Sequence, residues 1–285
     1  MTEVREQVTK GARLSSVLIP FEACPLCGSP DFRLLTSADC SRHALYDPRL
    51  PPILDWMRCA ACAHIFSRGY FSPAATEILL SRAHPFQQPG EAYEQKRFLA
   101  ARIIERVGRI ASPGDLWLDV GFGDGALLRT AQEFGFTAIG IDVRENVVKA
   151  LRRCGVETHL GDFAAFALLS HGERGSDERN DRRFAVISMM DVLEHMPFPR
   201  DALATARELL APGGSLVVSM PNADSPIWRD LTAAGNNPYW GEIEHYHNFG
   251  RARLYALLAE TGFTPIRYAV SERYRACMEV VSSRQ

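Results

Sequence analysis

The chain has 285 residues, 46% of them hydrophobic and 23% charged, and a formal net charge of −2. That length admits a medium-sized domain beside a small one, and the apolar fraction supports a packed core. The balanced charge argues against a protein that grips duplex nucleic acid through its phosphates. No run of about 18 apolar residues is present to span a bilayer.

Residues 1–20 read as a loose leader without a signal-peptide pattern, which makes the cytoplasm the expected location. Residues 21–70 hold two C-x-x-C pairs around a proline-rich middle (Pro48, Pro51, Pro52) unsuited to long helices. Residues 71–90 read as a linker, and residues 91–285 as one α/β domain. Within that domain AYEQKRFLAARIIERVGRI has the apolar spacing of an amphipathic helix. Strands and helices then alternate: LWLDV (116–120), a glycine-rich turn, a helix ending near Gly135, TAIGID (137–142), a helix over ENVVKALRRCG, and VETHL (156–160). FAVISMM (184–190), a helix closed by Pro-Gly-Gly, and SLVVSMP (215–221) continue the rhythm, which predicts a doubly wound, mostly parallel sheet. A last helix over RARLYALLAETGF precedes TPIRYAV and CMEVVSS, which read as an antiparallel hairpin completing seven strands, with SERYR as the turn. The polar stretch 171–183 reads as a disordered surface insertion.

The turn after the first strand of the α/β part reads Asp119-Val-Gly121-Phe122-Gly123-Asp-Gly125. Glycines there allow a sharp strand-to-helix turn and close approach of a ligand to the backbone. Asp119 is placed to meet a cationic amino group, and Asp142, closing the second strand, to accept hydrogen bonds from ribose hydroxyls. Asp162 could meet an adenine amine or simply cap a helix. The turn alone also satisfies a degenerate dinucleotide fingerprint, so a nicotinamide enzyme is the rival reading.

In order and spacing, LWLDVGFGDGALL, GIDVRENVV, GDF, MMDVLEHMPFP and LLAPGGSLVVSMPN resemble the motifs of class I, Rossmann-like S-adenosylmethionine-dependent methyltransferases over about residues 115–270. The resemblance implies that Asp119 and the loop Gly121, Phe122, Gly123 and Gly125 hold the methionine part of the cofactor. It assigns the ribose to Asp142 beside Val143, and the adenine to Asp162 with Phe163.

Asp191-Val-Leu-Glu194-His195 follows the fourth strand, where an open α/β sheet has its ligand crevice. Asp191 is counted with the cofactor-binding residues, Glu194 and His195 with the catalytic ones. His195 could take a proton from a hydroxyl acceptor as general base, or the segment could merely shape the pocket. A third option is a second divalent cation at Asp191, Glu194 and His195. That option resembles the E-x-x-E-H metal motif of ubiquinone-pathway O-methyltransferases and small-RNA 2′-O-methyltransferases, with Asp in the first position here. His245 and His247 alternate in GEIEHYHNF, and His245 is taken as a further catalytic candidate; Trp240 and Tyr246 could line an aromatic pocket.

Cys24-Pro-Leu-Cys27 and Cys59-Ala-Ala-Cys62 predict two knuckles that share one structural zinc in a small N-terminal ribbon. Such a module resembles that of bacterial sugar C-methyltransferases, which are longer, and of a ribosomal-RNA guanine methyltransferase group. Taken together, the expectation is methyl transfer to a small-molecule acceptor, in secondary metabolism or surface-glycan synthesis, with no nucleic-acid or membrane partner. The alternatives are an RNA-modifying methyltransferase and a catalytically silent cofactor-binding assembly protein.

Overall fold

The computed structural model describes residues 17–80, 90, 92–109, 111–170, 182–274 and 276–285. Most of the expected leader, the end of the expected linker and positions 171–181 of the expected insertion lie outside the described residues. The first strands are β1 (Leu18–Pro20), β2 (Phe32–Asp39), β3 (Ile53–Cys59), β4 (Ile65–Ser67) and β5 (Gly69–Phe71), followed by α1 (Pro73–Leu80) and α2 (Tyr93–Val107). Then come β6 (Leu116–Val120), α3 (Ala126–Glu133), β7 (Thr137–Asp142), α4 (Glu145–Arg153), β8 (Glu157–Leu160), α5 (Phe163–Ser170) and β9 (Phe184–Met190). The chain closes with α6 (Pro199–Leu209), β10 (Leu210–Pro221), α7 (Pro226–Ala233), β11 (His247–Asn248), α8 (Arg251–Glu260), β12 (Phe263–Val270) and β13 (Cys277–Arg284).

The chain divides into two compact units, one of residues 1–84 with 223–253, the other of 85–222 with 254–285. Residues 223–253, assigned by sequence to the α/β domain, therefore fold with the N-terminal segment, and residues 73–80 of the expected linker are helical.

In the first unit an antiparallel sheet has the order β11-β4-β3-β2, and β1 pairs with β5. Strand β11 is short, but its register (His247 opposite Phe66, Asn248 opposite Ile65) stitches the distant 223–253 segment to the strand that follows the second cysteine pair. Leu45, Leu50, Leu54, Phe71 and Leu79 form a core there with Ile243 and Tyr246. Burying these side chains offsets the ordering of a loop-rich segment.

In the second unit the sheet order is β12-β13-β10-β9-β6-β7-β8. Strands β6–β10 run parallel where they pair, and β13 lies antiparallel between β10 and β12. This is the doubly wound sheet with a C-terminal antiparallel hairpin expected from sequence. Strands buried on both faces need continuous apolar runs, which is why Phe184–Met190 lacks polar alternation. Two details differ from the sequence reading. Strand β10 begins at Leu210, straight after α6, and the Pro-Gly-Gly segment is an irregularity within the strand. Helix α5, not expected from periodicity, begins after Asp162.

Candidate functional site

Strand order reverses at β6: the chain proceeds to β7 and β8 on one side and to β9 and β10 on the other. In an open α/β sheet such a switch point leaves a crevice at the carboxyl ends of the strands. The β6–α3 turn sits there, and Gly121, Gly123 and Gly125 take φ of 68°, 59° and 78°, a region that strains other residues. A Cβ on Gly121 would lie 2.6 Å from Val192 Cγ2, and one on Gly125 2.2 Å from Leu151 Cδ2. The turn therefore packs directly against the segment after β9 and against α4.

Asp119 is 2% exposed, and its Oδ1 accepts a 2.6 Å hydrogen bond from Ser188 Oγ, which in turn accepts from Trp117 Nε1 at 2.8 Å. Burial pushes the Asp119 carboxyl up to about 7, while the Ser188 hydrogen bond and the charge of Arg273 pull it down. Asp142 is also buried; its Oδ2 accepts from the Gly123 amide at 3.2 Å and its Oδ1 from the Arg144 amide at 2.9 Å. The Arg144 side chain donates to both oxygens, from Nε at 2.9 Å and from Nη2 at 2.8 Å. A ribose reaching Asp142 would have to share or displace that fork.

Phe122 lies within the apolar core, so its ring packs and only its backbone faces the turn. Val143 is 44% exposed beyond β7. Asp162 is exposed and accepts from the Ala165 amide at 2.7 Å, capping α5, and Phe163 is buried. Asp191 adopts φ 58°, rare for a residue with a side chain. Its amide donates to Ser219 O at 2.9 Å, its Oδ1 accepts from Ser219 Oγ at 2.8 Å, and its Oδ2 lies 2.8 Å from Arg273 Nη2. Glu194, fully buried, and half-buried His195 follow on a 3₁₀ turn. Sequence reasoning missed Ser188, Ser219, Arg144 and Arg273; Arg144 and Ser219 lie within GIDVRENVV and LLAPGGSLVVSMPN, but nothing in the spacing singles them out.

His245 belongs to the first unit and is buried there. In the same unit Cys24 Sγ lies 3.7 Å from Cys62 Sγ and Cys27 Sγ 3.5 Å from Cys59 Sγ, with all four sulfurs within 4.8 Å of one another. A tetrahedral zinc with Zn–S of about 2.3 Å has sulfur–sulfur edges of about 3.8 Å, so the cluster fits that ion. Burial raises the Cys24 thiol, opposed by the amides of Cys27 and Leu26, and burial likewise raises Cys62 to about 11. Thiolates crowded this closely call for a cation. His64, two residues beyond Cys62, approaches His247 with Nε2 to Nδ1 at 3.0 Å.

A glycine turn at the switch point of a doubly wound sheet, and a separate unit whose cysteine cluster fits a metal, define the class: an α/β protein of Rossmann-like build with a small accessory unit. A family described as "Methyltransferase domain" matches residues 90–268, and the chain belongs to that family. The ubiquinone biosynthesis O-methyltransferase of Pasteurella multocida (strain Pm70) is 31% identical over 120 residues, 39% of this chain and 48% of that protein. The protein of that name from Caulobacter sp. (strain K31) is 29% identical over 159 residues, 54% of this chain and 56% of that protein. The chain thus spans about half the length of the curated relatives it matches. The crystal structure of a SAM-dependent methyltransferase from Archaeoglobus fulgidus superposes with a TM-score of 0.51 at 15% identity, covering 66% of this chain and 94% of that one. At that identity the likeness shows a shared fold.

Proposed function

We propose that the chain transfers a methyl group from S-adenosylmethionine to a small-molecule acceptor, of secondary metabolism or surface-glycan synthesis. The observation that carries this reading is the convergence of the glycine turn, Asp119 and Asp142 on one switch point. The names of the curated relatives support a small-molecule acceptor. When bound, the cofactor supplies an electrophilic methyl on a sulfonium.

Asp119 offers a carboxylate to the amino-acid end, Asp142 one to the ribose, and Asp162 and Phe163 line the adenine end. Beyond β9, His195 takes the proton of a hydroxyl acceptor as the methyl–oxygen bond forms and the methyl–sulfur bond breaks. Glu194, buried on the same 3₁₀ turn, is the second catalytic candidate. The Asp191 carboxylate is engaged by Ser219 and Arg273, which favours bracing and base chemistry over a cation held jointly with Glu194 and His195. His245 is retained as a catalytic candidate. The four cysteines would hold one structural zinc, fixing their two knuckles, and the expected location is the cytoplasm.

Calorimetry with S-adenosylhomocysteine tests the reading. Asp142→Ala should weaken binding by roughly 1–3 kcal/mol, whereas His195→Ala should leave it close to wild type. Unchanged affinity in Asp142→Ala would remove the ribose assignment, and no binding by the wild-type chain would remove the cofactor.

A further inference from the structure

Arg273 comes from the turn between β12 and β13, more than 70 residues beyond the Asp191–His195 segment. Its guanidinium reaches the segment that follows β9. Nη2 is 2.8 Å from Asp191 Oδ2, and Nε is 4.0 Å from Oε1 of Glu279, itself buried on β13. Glu279 is paired with Arg106 on α2, and Arg106 is paired with Glu272. This chain of charges anchors the β12–β13 turn.

Asp191 in turn adjoins Val192, the residue that fills the space beside Gly121. The register of β6 and β9 (Val120 opposite Met189) puts the two loops side by side. A guanidinium fixed to Asp191 is therefore fixed beside the first glycine of the turn. Its donors are not spent: neither Nε nor Nη2 makes a hydrogen bond of good geometry, although both are buried, while the side chain as a whole keeps 22% exposure. A buried donor without an aligned acceptor is costly. Such a fork suits a carboxylate, which can accept two parallel N–H bonds. Two further cations lie beside the turn: Arg144, forked on Asp142, and Lys96, 2.8 Å from Asp124, whose Oδ1 accepts from the Ala126 amide at the start of α3. Lys96 thus braces the turn.

We propose that Arg273 is a ligand-binding residue of this crevice, receiving the α-carboxylate at the amino-acid end of the cofactor while Asp119 receives its α-ammonium. The assignment rests on reading the crevice as an S-adenosylmethionine site. It gives a zwitterion two groups of opposite charge, and the effect of Arg273 on the Asp119 carboxyl is consistent with their closeness. It also explains why a half-buried arginine sits at the tip of a hairpin whose sequence, SERYR, reads as an ordinary polar turn.

The test uses the whole chain and two probes, S-adenosylhomocysteine and its decarboxylated analogue, which keeps the amine but lacks the carboxylate. Wild-type protein should prefer the first by roughly 10- to 100-fold in calorimetry, the range for a hydrogen bond to a charged group. In Arg273→Gln the preference should fall to near one, with affinity for the decarboxylated probe little changed. Arg273→Lys should restore part of it, and Lys96→Met should keep it. Retained preference in Arg273→Gln overturns the assignment, as does its collapse in Lys96→Met instead. Equal loss of both probes in Arg273→Gln also overturns it, leaving Arg273 a brace for Asp191. Failure of wild-type protein to bind either probe removes the cofactor reading itself, an outcome separate from all of these.

Discussion

Asp119 closes β6 almost without solvent contact, and burial lifts its carboxyl from an ordinary 3.8 to about 7. Ser188 and Arg273 lower that value, and Asp142 and Asp124 add to the rise. Between about pH 4 and 7 the folded chain holds a proton that the unfolded chain has released, so this carboxyl makes the ligand-free protein less stable as pH rises across that window. A bound α-ammonium reverses the balance, because it pairs only with the ionised form. Affinity for S-adenosylhomocysteine should therefore strengthen as pH rises toward and through 7 and level off above it. Asp119→Asn should bind weakly with a much flatter profile between pH 5.5 and 8, a comparison calorimetry can make. Equal pH profiles for the two proteins would show that another group titrates. The sequence displays Asp119 and its distance from the glycines. It does not display the groups that tune it, since Ser188 and Arg273 reach it only through strand pairing and hairpin closure.

The alternating elements of the α/β part were legible because strands buried on both faces and amphipathic helices impose different periods on the chain. The bounds Thr137–Asp142 and Phe184–Met190 agree with the sequence reading residue for residue. Helices α1, α5 and α7 were not legible: each has only eight residues, and α5 (FAAFALLS) is too uniformly apolar to show a helical period, whereas α3, equally short, is announced by the glycine turn before it. A packing constraint on β7 was hidden as well. Gly140 has an ordinary backbone, but a Cβ there would meet Leu128 Cδ1 at 2.5 Å and Phe122 Cδ1 at 2.6 Å. It lets α3 and the glycine turn close onto the sheet. Gly140→Ala should cost about 1–3 kcal/mol of stability through overpacking. It should also weaken S-adenosylhomocysteine binding, because Phe122 carries the turn. Denaturant unfolding and calorimetry on one preparation would check both effects. Lost stability with intact affinity would mean that Phe122 yields without moving the backbone.

At the scale of the chain, the two C-x-x-C pairs announced a metal-fitted unit, and their sulfurs do converge. What sequence could not show is that the same unit recruits residues 223–253 from beyond β10. The joining contacts are non-local: β11 on β4, the His64–His247 pair, the Trp56 indole N–H donating to Trp240 O at 2.8 Å, and Ile243 and Tyr246 in the common core. Several of them begin within a few residues of the second knuckle, so the cysteine centre should fix this segment as well as its own loops. Metal binding and local folding are coupled in such modules. Stripping zinc with a chelator, or replacing Cys59 by Ser, should therefore raise amide exchange across both 21–71 and 238–249. Residues 116–142 should stay protected, and S-adenosylhomocysteine should still bind. Exchange that rises in 21–71 while 238–249 stays protected would show that the aromatic core alone holds the segment. Loss of S-adenosylhomocysteine binding in the stripped protein would mean that the second unit does not stand without the first. Freshly purified chain that contains no zinc would remove the metal assignment before either question arises.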